Sequence, residues 1–295
     1  MRPPMTASTA KTILRILDAP QPHWVGDGFL VHPLFADAAF TQEVSPFLMF
    51  DYAAPVKFPP ADKPPGVGPH PHKGFETITI VYAGELEHRD SAGHSGQIGP
   101  GDVQWMTAGS GLLHEEFHAR EAAKRGGLVS MSQLWVNLPK RDKSAAPRYQ
   151  DIRASDIPNV AVPGGQGVVR VIAGSFHGHK GPASTFTRVH VWDMRLKKGD
   201  RFTITLDAGD AALLPVLSGR VHINGETEVA ATRCITFSQA GASFELEALE
   251  DALLLFLGGE PIDEPIAAYG PFVMNTQDEI RDAIMEFRAG KMGTL

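Results

Sequence analysis

Residues 68–77 read Gly-Pro-His70-Pro-His72-Lys-Gly-Phe-Glu76-Thr, and this stretch decides how the first half of the chain is interpreted. Alternate residues of a β-strand face the same side, so His70 and His72 project together. With a rise of about 3.3 Å per residue they lie about 6–7 Å apart along the strand, and two imidazoles at this spacing can converge on one metal ion. The stretch therefore predicts a pair of metal ligands on a strand.

A second same-face pair, His114 and Glu116, follows downstream. Tight turns at 99–102 and 108–111 bracket a short apolar strand between the two pairs. Turns of this kind let the later strand fold back, so we expect the pairs to face each other across a β-barrel. Three imidazoles and one carboxylate form a mixed set of nitrogen and oxygen donors that suits Fe, Ni, Cu, Mn, Co or Zn.

Two further residue patterns bear on this site. Glu76 shares the parity of His70 and His72, so same-face logic permits it as the carboxylate ligand in place of Glu116. His177 and His179 repeat the His-x-His spacing, but no second ligand pair follows them. We therefore interpret residues 177–179 as a loop.

Short apolar runs punctuated by Gly and Pro fill most of the chain, which is typical of many short strands joined by turns. The predicted strands are 77–82, 129–136, 168–172, 189–196, 201–206, 211–217 and 252–257. Residues 139–167 are rich in charged and turn-forming residues and are predicted to connect two β-barrels. The sequence thus predicts an all-β fold of two tandem antiparallel β-barrels, with domains over 1–140 and 141–295.

One short helix is predicted near the C-terminus. Thr276 and Glu279 form a capping box, in which each side chain satisfies a free backbone N–H of the other residue. Apolar residues then recur at helical spacing, at Ile280, Ala283, Ile284 and Phe287. We expect this helix to pack on a barrel through its apolar face.

The 295 residues carry a formal net charge of −7, with 43% hydrophobic and 21% charged residues and a single cysteine, Cys234. This composition is ordinary for a globular protein that buries its core without disulfides. It lacks the dense basic face that nucleic-acid binding needs, so we do not expect nucleic acid as a partner. The apolar stretches are shorter than the roughly 18 residues of a membrane helix, and the N-terminus does not resemble a signal peptide. We therefore expect a cytoplasmic protein without a membrane partner.

These motifs resemble those of the pirin family of bicupins. The resemblance rests on HPHKGFET (70–77), GPGDVQWMTAG (99–109), GLLHEE (111–116), SPFLMFD (45–51), QLWVNL (133–138), GGEPIDEP (258–265) and YGPFVMNT (269–276). It implies two tandem cupin barrels (double-stranded β-helices), of which the first holds one divalent metal ion, typically Fe(II), and the second holds none. Carried over to this sequence, it implies the ligands His70, His72, His114 and Glu116. Glu76 is then left to orient a histidine.

The resemblance implies two alternative functions. Several pirins resemble quercetin 2,3-dioxygenases, which open a flavonol ring with O2 and release carbon monoxide. In that case Glu116 is both a ligand and the general base for the 3-hydroxyl of the substrate. Other pirins resemble non-catalytic, metal-binding regulatory proteins that act through protein partners, and both functions need the same ligands. Ni, Co, Cu, Mn and Zn are alternatives to Fe(II).

An enzyme of this kind needs a pocket for a flat aromatic substrate. Phe75, Trp105, Met106 and Phe117 lie near the ligand motifs and are candidates for its walls. Each of them also fits the barrel core, and the core is the interpretation that we favour.

Overall fold

The computed structural model describes residues 10–36 and 42–295, and strands make up most of them. The elements of the first half are β1 (Ile13–Asp18), β2 (His23–Val25), β3 (Phe29–Phe35), β4 (Phe47–Phe58), β5 (Gly66–His72), β6 (Phe75–Ala83), β7 (Leu86–Asp90), β8 (Ser95–Ile98), β9 (Val103–Thr107), β10 (Leu112–His118), α1 (Arg120–Arg125), β11 (Gly127–Asn137) and β12 (Arg148–Ile152). Those of the second half are β13 (Asn159–Ala161), β14 (Val168–Ala173), β15 (Ser175–Phe176), β16 (His179–Lys180), β17 (Val189–Leu196), β18 (Arg201–Thr205), β19 (Ala211–Ser218), β20 (Arg220–Ile223), β21 (Thr227–Ala230), β22 (Arg233–Phe237), β23 (Ser243–Ala248), β24 (Ala252–Gly259), β25 (Ala267–Tyr269), β26 (Phe272–Met274) and α2 (Gln277–Arg288). The seven strands predicted from apolar runs are all present, as β6, β11, β14, β17, β18, β19 and β24.

The chain forms two compact units, each built from three separate stretches of the sequence. The first unit contains the described residues of Pro20–Gln42, Pro46–Asp156 and Ile262–Leu295. The second unit contains the described residues of Met1–Ala19, Glu43–Ser45 and Ile157–Pro261. No single boundary in the sequence therefore separates the two compact units. The division into domains over 1–140 and 141–295 stays a prediction.

The first unit is built from two antiparallel sheets. A seven-stranded sheet has the order β12-β9-β6-β11-β4-β3-β2, and a four-stranded sheet has the order β5-β10-β7-β8. Phe29 and Ala53 of the large sheet join Leu86 and Ile98 of the small sheet in one apolar cluster. Burial of these side chains between the two sheets is the main force that holds them face to face.

The second unit repeats this plan with a different interior. Its seven-stranded sheet has the order β1-β22-β19-β24-β17-β14-β13, and its four-stranded sheet has the order β18-β23-β20-β21. Ile204 and Val221 of the small sheet pack in one cluster with Trp192, Leu214 and Phe256 of the large sheet. His177 and His179 lie in the exposed β15–β16 hairpin, as the loop interpretation expected.

The predicted connection between the barrels contains two strands that the sequence did not reveal, β12 and β13. Strand β12 pairs with β9 at the edge of the large sheet in the first unit, with Tyr149 opposite Met106. Only one residue of this strand, Ile152, is fully buried. An edge strand with a single buried apolar residue lacks the alternating pattern by which strands are predicted.

The C-terminal helix is confirmed, together with its cap. The Thr276 hydroxyl accepts from the backbone N–H of Glu279, and the Glu279 carboxylate accepts from the backbone N–H of Thr276. Ile280 and Ala283 are buried in a cluster that also contains Phe272 of β26, whereas Phe287 is 39% exposed. The helix therefore packs within the first unit through the N-terminal part of its apolar face. None of the helices in the described chain is long and apolar enough to cross a membrane.

Lys143 fastens the C-terminal segment to the first ligand motif. Its buried ammonium group donates to the carbonyl oxygens of Gly74 (2.9 Å) and Val273 (2.8 Å) and to Oδ1 of Asn137 (2.8 Å). The backbone N–H of Val273 also donates to the carbonyl of Lys73 at 3.0 Å. Residues 271–273 are thereby held beside the His70–His72 stretch, although about 200 residues separate them in the sequence.

Replacing Lys143 by Met should destabilise the protein by about 2–4 kcal/mol. Each buried acceptor that loses its donor costs roughly 1–3 kcal/mol, and the desolvation relieved by removing the charge offsets part of the loss. Chemical denaturation measures the change, with the exposed Lys140→Met as the matched control. Equal stabilities of the two variants would show that the three hydrogen bonds of Lys143 contribute nothing.

Candidate metal centre

The two ligand motifs lie on neighbouring strands of one sheet. Strands β5 and β10 pair antiparallel, with His114 opposite His70 and Leu112 opposite His72. The expectation that the two pairs face each other across the barrel is therefore wrong. Residues that are directly opposite on paired strands share a face, so the imidazoles of β5 and β10 meet side by side.

Three histidines converge at this pairing. The ring centroids are 4.9 Å apart for His70–His72, 4.2 Å for His70–His114 and 4.7 Å for His72–His114. One ring nitrogen of each lies within 4.8 Å of those of the others, close enough to share a metal ion. His114 and His72 are buried, and His70 is partly exposed.

The unpaired nitrogens of these rings fit a metal ion. Nδ1 of His72 and Nε2 of His114 are buried without a hydrogen-bond partner in the part of the chain that the structure describes. Nδ1 of His70 donates to the carbonyl oxygen of Gly68 at 2.9 Å, so Nε2 is the nitrogen that can bind a metal ion. A buried polar atom without a partner is costly, and a metal ion would satisfy both buried nitrogens.

The charge state of the rings favours the same interpretation. Burial, with a further contribution from the neighbouring His70, holds the pKa of His72 well below its ordinary value. Burial together with the nearby His72, His70 and His88 lowers the pKa of His114 in the same way. Both rings are therefore neutral near pH 7, which is the form that binds a metal.

Glu116 lies at the edge of this cluster. A carboxylate oxygen of Glu116 is within 4.8 Å of ring nitrogens of His114 and His88, in a group separate from the three histidines. Thr79 donates to its Oε1 at 3.4 Å, and Gln133 donates to its Oε2 at 3.0 Å. These two donors come from the large sheet and fix the direction of the carboxylate.

Glu76 occupies a different place. It is 1% exposed on β6 and accepts from the Thr107 hydroxyl at 2.7 Å, with Arg148 Nη2 at 4.0 Å. Burial raises its pKa to about 7 from an ordinary value of 4.5. Within the described chain Glu76 joins neither group of potential ligands, so Glu116 is the better candidate for the carboxylate ligand.

A cavity of about 370 Å³ opens onto the cluster. His70, His72 and Glu116 form its polar end. Its other walls are mainly apolar, with Val25, Phe29, Val31, Met49, Val67, Met131, Trp135 and Pro271, together with Asp51 and Gln133. The cavity is therefore a largely apolar space that ends at the candidate metal ligands.

The cavity walls were not identified from the sequence. Phe75, Trp105 and Met106 are fully buried and do not line the cavity, which agrees with their interpretation as core. Phe117 lines a separate, more open groove of about 710 Å³, together with Glu115. Residues 115 and 117 alternate with the inward-facing residues of β10, as the strand period requires.

His88 and Asp90 are among the polar residues of this region that the sequence did not reveal, together with Asp51, Thr79 and Gln133. His88 and Asp90 lie on the short strand β7, where they and Leu86 alternate with more exposed residues. This alternation of a histidine and a carboxylate with period two was the available signal. The signal is weak because the strand is short and lies outside both ligand motifs.

Replacing Glu76 by Gln should remove the loss of stability that this buried carboxyl group causes as pH rises. Between pH 4.5 and 7 the folded state keeps a proton on Glu76 that the unfolded state has lost, so stability falls as pH rises through this window. The amide removes the penalty, and the variant should exceed the wild type above pH 7 by on the order of 3 kcal/mol, at about 1.4 kcal/mol per pH unit. Denaturant unfolding from pH 4 to 8 measures the difference. A constant difference across this range would contradict the prediction.

Replacing His72 by Ala should abolish stoichiometric metal binding and leave the protein folded. The apolar clusters of the first unit do not include His72, so they can maintain the fold without it. Elemental analysis and circular dichroism measure the two properties. His118→Ala is the matched control. His118, on β10, is buried like His72, but its ring donates to the Gly28 carbonyl outside the cluster. Global unfolding of His72→Ala would show that this histidine serves the fold.

Comparison with known proteins agrees with this architecture. The family model for Pirin matches residues 28–136, and the model for the Pirin C-terminal cupin domain matches residues 191–293. A Pseudomonas aeruginosa protein named "Putative quercetin 2,3-dioxygenase" is 49% identical over 281 residues, covering 95% of this chain and 98% of the relative. Human pirin is 35% identical over 259 residues, covering 85% of this chain and 84% of that protein.

A solved structure extends the comparison to the fold. The crystal structure of quercetin 2,3-dioxygenase from Acinetobacter baumannii superimposes with a TM-score of 0.95 at 48% identity, covering 97% of this chain and 99% of that one. The bicupin architecture that the motifs implied is thereby confirmed. Matching family models in both halves and relatives that span nearly the whole chain show that it belongs to the pirin family.

Proposed function

We propose that this protein is a metal-dependent dioxygenase that opens flavonols such as quercetin with O2. One divalent metal ion, with Fe(II) favoured, is held by His70, His72, His114 and Glu116. The observation that carries the proposal is the largely apolar cavity that ends at His70, His72 and Glu116. The names of the Pseudomonas and Acinetobacter relatives point to the same reaction.

The size and lining of the cavity suit a small aromatic substrate. Its volume of about 370 Å³ lies in the range of about 300–1,000 Å³ that is usual for pockets holding small molecules. Met49, Met131 and Trp135 offer apolar surface to a flat ring. The carboxylate of Asp51 faces the same space and offers an acceptor to a substrate hydroxyl group.

Glu116 is positioned to take a proton from the substrate. A bound metal ion would supply Lewis acidity that stabilises the flavonolate. The Trp135 indole donates to Oε1 of Gln133 at 3.3 Å, and Nε2 of Gln133 donates to Glu116. These two hydrogen bonds fix the orientation of the Gln133 amide and of the Glu116 carboxylate, which lines the cavity. There the carboxylate would accept the proton of the flavonol 3-hydroxyl.

The reaction consumes O2 and releases carbon monoxide from the opened ring. The mainly apolar walls of the cavity provide a low-polarity environment for the ring system of the substrate. The protein's own contribution is therefore to hold the metal, to seat the ring and to accept one proton at Glu116.

Replacing Glu116 by Gln should lower flavonol turnover by at least about 100-fold, because a general base contributes roughly 10²–10⁴ in rate. The measurement is oxygen uptake and carbon monoxide release with quercetin, on protein loaded in turn with Fe(II), Ni(II), Co(II), Cu(II) and Mn(II). Glu115→Gln is the matched control, since Glu115 pairs with Arg89 and lines the separate groove.

Wild-type protein that is fully loaded with each metal and takes up no oxygen would contradict the enzyme proposal. That result would favour a non-catalytic, metal-binding regulatory protein that acts through protein partners. An unchanged rate in Glu116→Gln would instead show that the base is another residue.

A further inference from the structure

His88 and Asp90 lie directly beside the candidate ligands on the next strand. Strand β7 pairs with β10, so that His88 is opposite Glu116 and Asp90 is opposite His114. Opposite residues on paired strands share a face, so both side chains point to the same side of the sheet as the ligands. His88 is 5% exposed and Asp90 6%, which leaves both screened from solvent.

The side chains form a continuous polar chain that starts at a ligand. Nδ1 of His114 lies 3.3 Å from Nδ1 of His88, and Nε2 of His88 lies 3.5 Å from Oδ2 of Asp90. Asp90 is itself fixed, because its Oδ1 accepts from the backbone N–H groups of Ala92 (2.9 Å) and His94 (3.0 Å). The imidazole of His94, which is 37% exposed, contacts Oδ2 of Asp90 at 3.0 Å and ends the chain near solvent.

Only one arrangement of protons is consistent with metal binding at the unpaired Nε2 of His114. Nε2 must then be unprotonated, so the ring hydrogen of His114 is on Nδ1 and is donated to Nδ1 of His88. The hydrogen of His88 is consequently on Nε2, where it faces the Asp90 carboxylate. The carboxylate therefore selects the tautomer of two successive imidazoles.

We propose that His88 and Asp90 are positioning residues that hold His114 in its metal-binding tautomer and orientation. The inference rests on the proposed metal site of this chain. A metal-bound histidine usually donates its second N–H to a carboxylate or a carbonyl group. Here His88 lies between the ligand His114 and the carboxylate of Asp90. The loop after β7, which binds Asp90 through its backbone N–H groups, therefore also helps to hold His114.

His88 is a positioning residue rather than a ligand, although it also groups with His114 and Glu116 within 4.8 Å. Its Nδ1 contacts His114, and its Nε2, which has no hydrogen-bond partner in the described chain, lies 3.5 Å from Oδ2 of Asp90. His72 and His114 instead belong with His70 to the group of three converging histidines, and His88 is not part of that group.

Packing holds the His88 ring from its other side. The Tyr149 ring stacks on it with centroids 5.1 Å apart and planes 8° from parallel. Gly96 makes room for this contact, since a Cβ at Gly96 would lie 2.4 Å from the Tyr149 hydroxyl oxygen. Tyr149 thus sets the orientation of the His88 ring, and Asp90 favours the ring hydrogen on Nε2.

Co(II) binding to the metal-free full-length protein tests the inference without using activity. The variants are His88→Phe, which keeps a ring but removes both nitrogens, and Asp90→Asn, which keeps the shape but removes the charge. We expect Co(II) to bind about 10–100-fold more weakly to each variant. His88→Gln should recover part of the affinity, because its amide can accept from His114 and donate to Asp90. Tyr149→Phe keeps the stacked ring and should bind Co(II) like the wild type.

Optical titration with a competing chelator gives the Co(II) affinity, and X-ray absorption gives the number of bound imidazoles. Thermal unfolding of the metal-free proteins identifies any variant that does not fold. If His88→Phe does not fold, the Co(II) affinity of Asp90→Asn decides the test. Weaker binding with an unchanged number of imidazoles supports the proposal. Wild-type affinity in both His88→Phe and Asp90→Asn overturns it, and so does the loss of one imidazole in His88→Phe, which would make His88 a ligand. Failure of the wild type itself to bind Co(II) would overturn the metal site and this inference together.

Discussion

The antiparallel pairing of β5 with β10 is the constraint on which the site depends. This register places His114 directly opposite His70, and the period of the strand places His72 on the same face. Shifting the pairing by one residue would turn the imidazoles of one strand to the outer face and separate the three rings. The next pairing, of β10 with β7, then sets His88 and Asp90 behind the candidate ligands. One sheet of four strands therefore carries the three candidate histidine ligands, Glu116 and the residues that we propose to support them.

The large sheet of the first unit has a different part in the site. It contributes Thr79 and Gln133, which hold the Glu116 carboxylate, and the apolar residues Met49 and Met131, which line the cavity. A polar cluster can exist inside a barrel only when its groups are hydrogen-bonded or bind a metal, because buried polar groups without partners are costly. In the second unit, apolar residues such as Leu214 fill the corresponding space between two similar sheets.

The C-terminal segment shows how far the site depends on distant parts of the chain. Pro271 lines the cavity, and Val273 is fastened by Lys143 and by the backbone of Lys73, next to His72. One wall residue of the cavity, Pro271, is thus carried by a segment that follows the whole second unit in the sequence. The capping box of Thr276 and Glu279 begins the helix that packs this segment in place.

The sequence by itself determined the local features of this protein. Period-two alternation identified the strands that contain the core, the capping box located the C-terminal helix, and the His-x-His and His-x-Glu spacings identified the residues that meet at the site. These features depend on neighbours a few residues apart, which a sequence displays directly. Only the tertiary structure decided that the two His-containing motifs pair side by side, that Glu76 lies away from the three histidines, that His88 and Asp90 lie beside the candidate ligands, and that Pro271 lines the cavity. The reason is that strand order and register depend on the packing of the whole barrel, and residues far apart in the sequence carry no local signal of being neighbours.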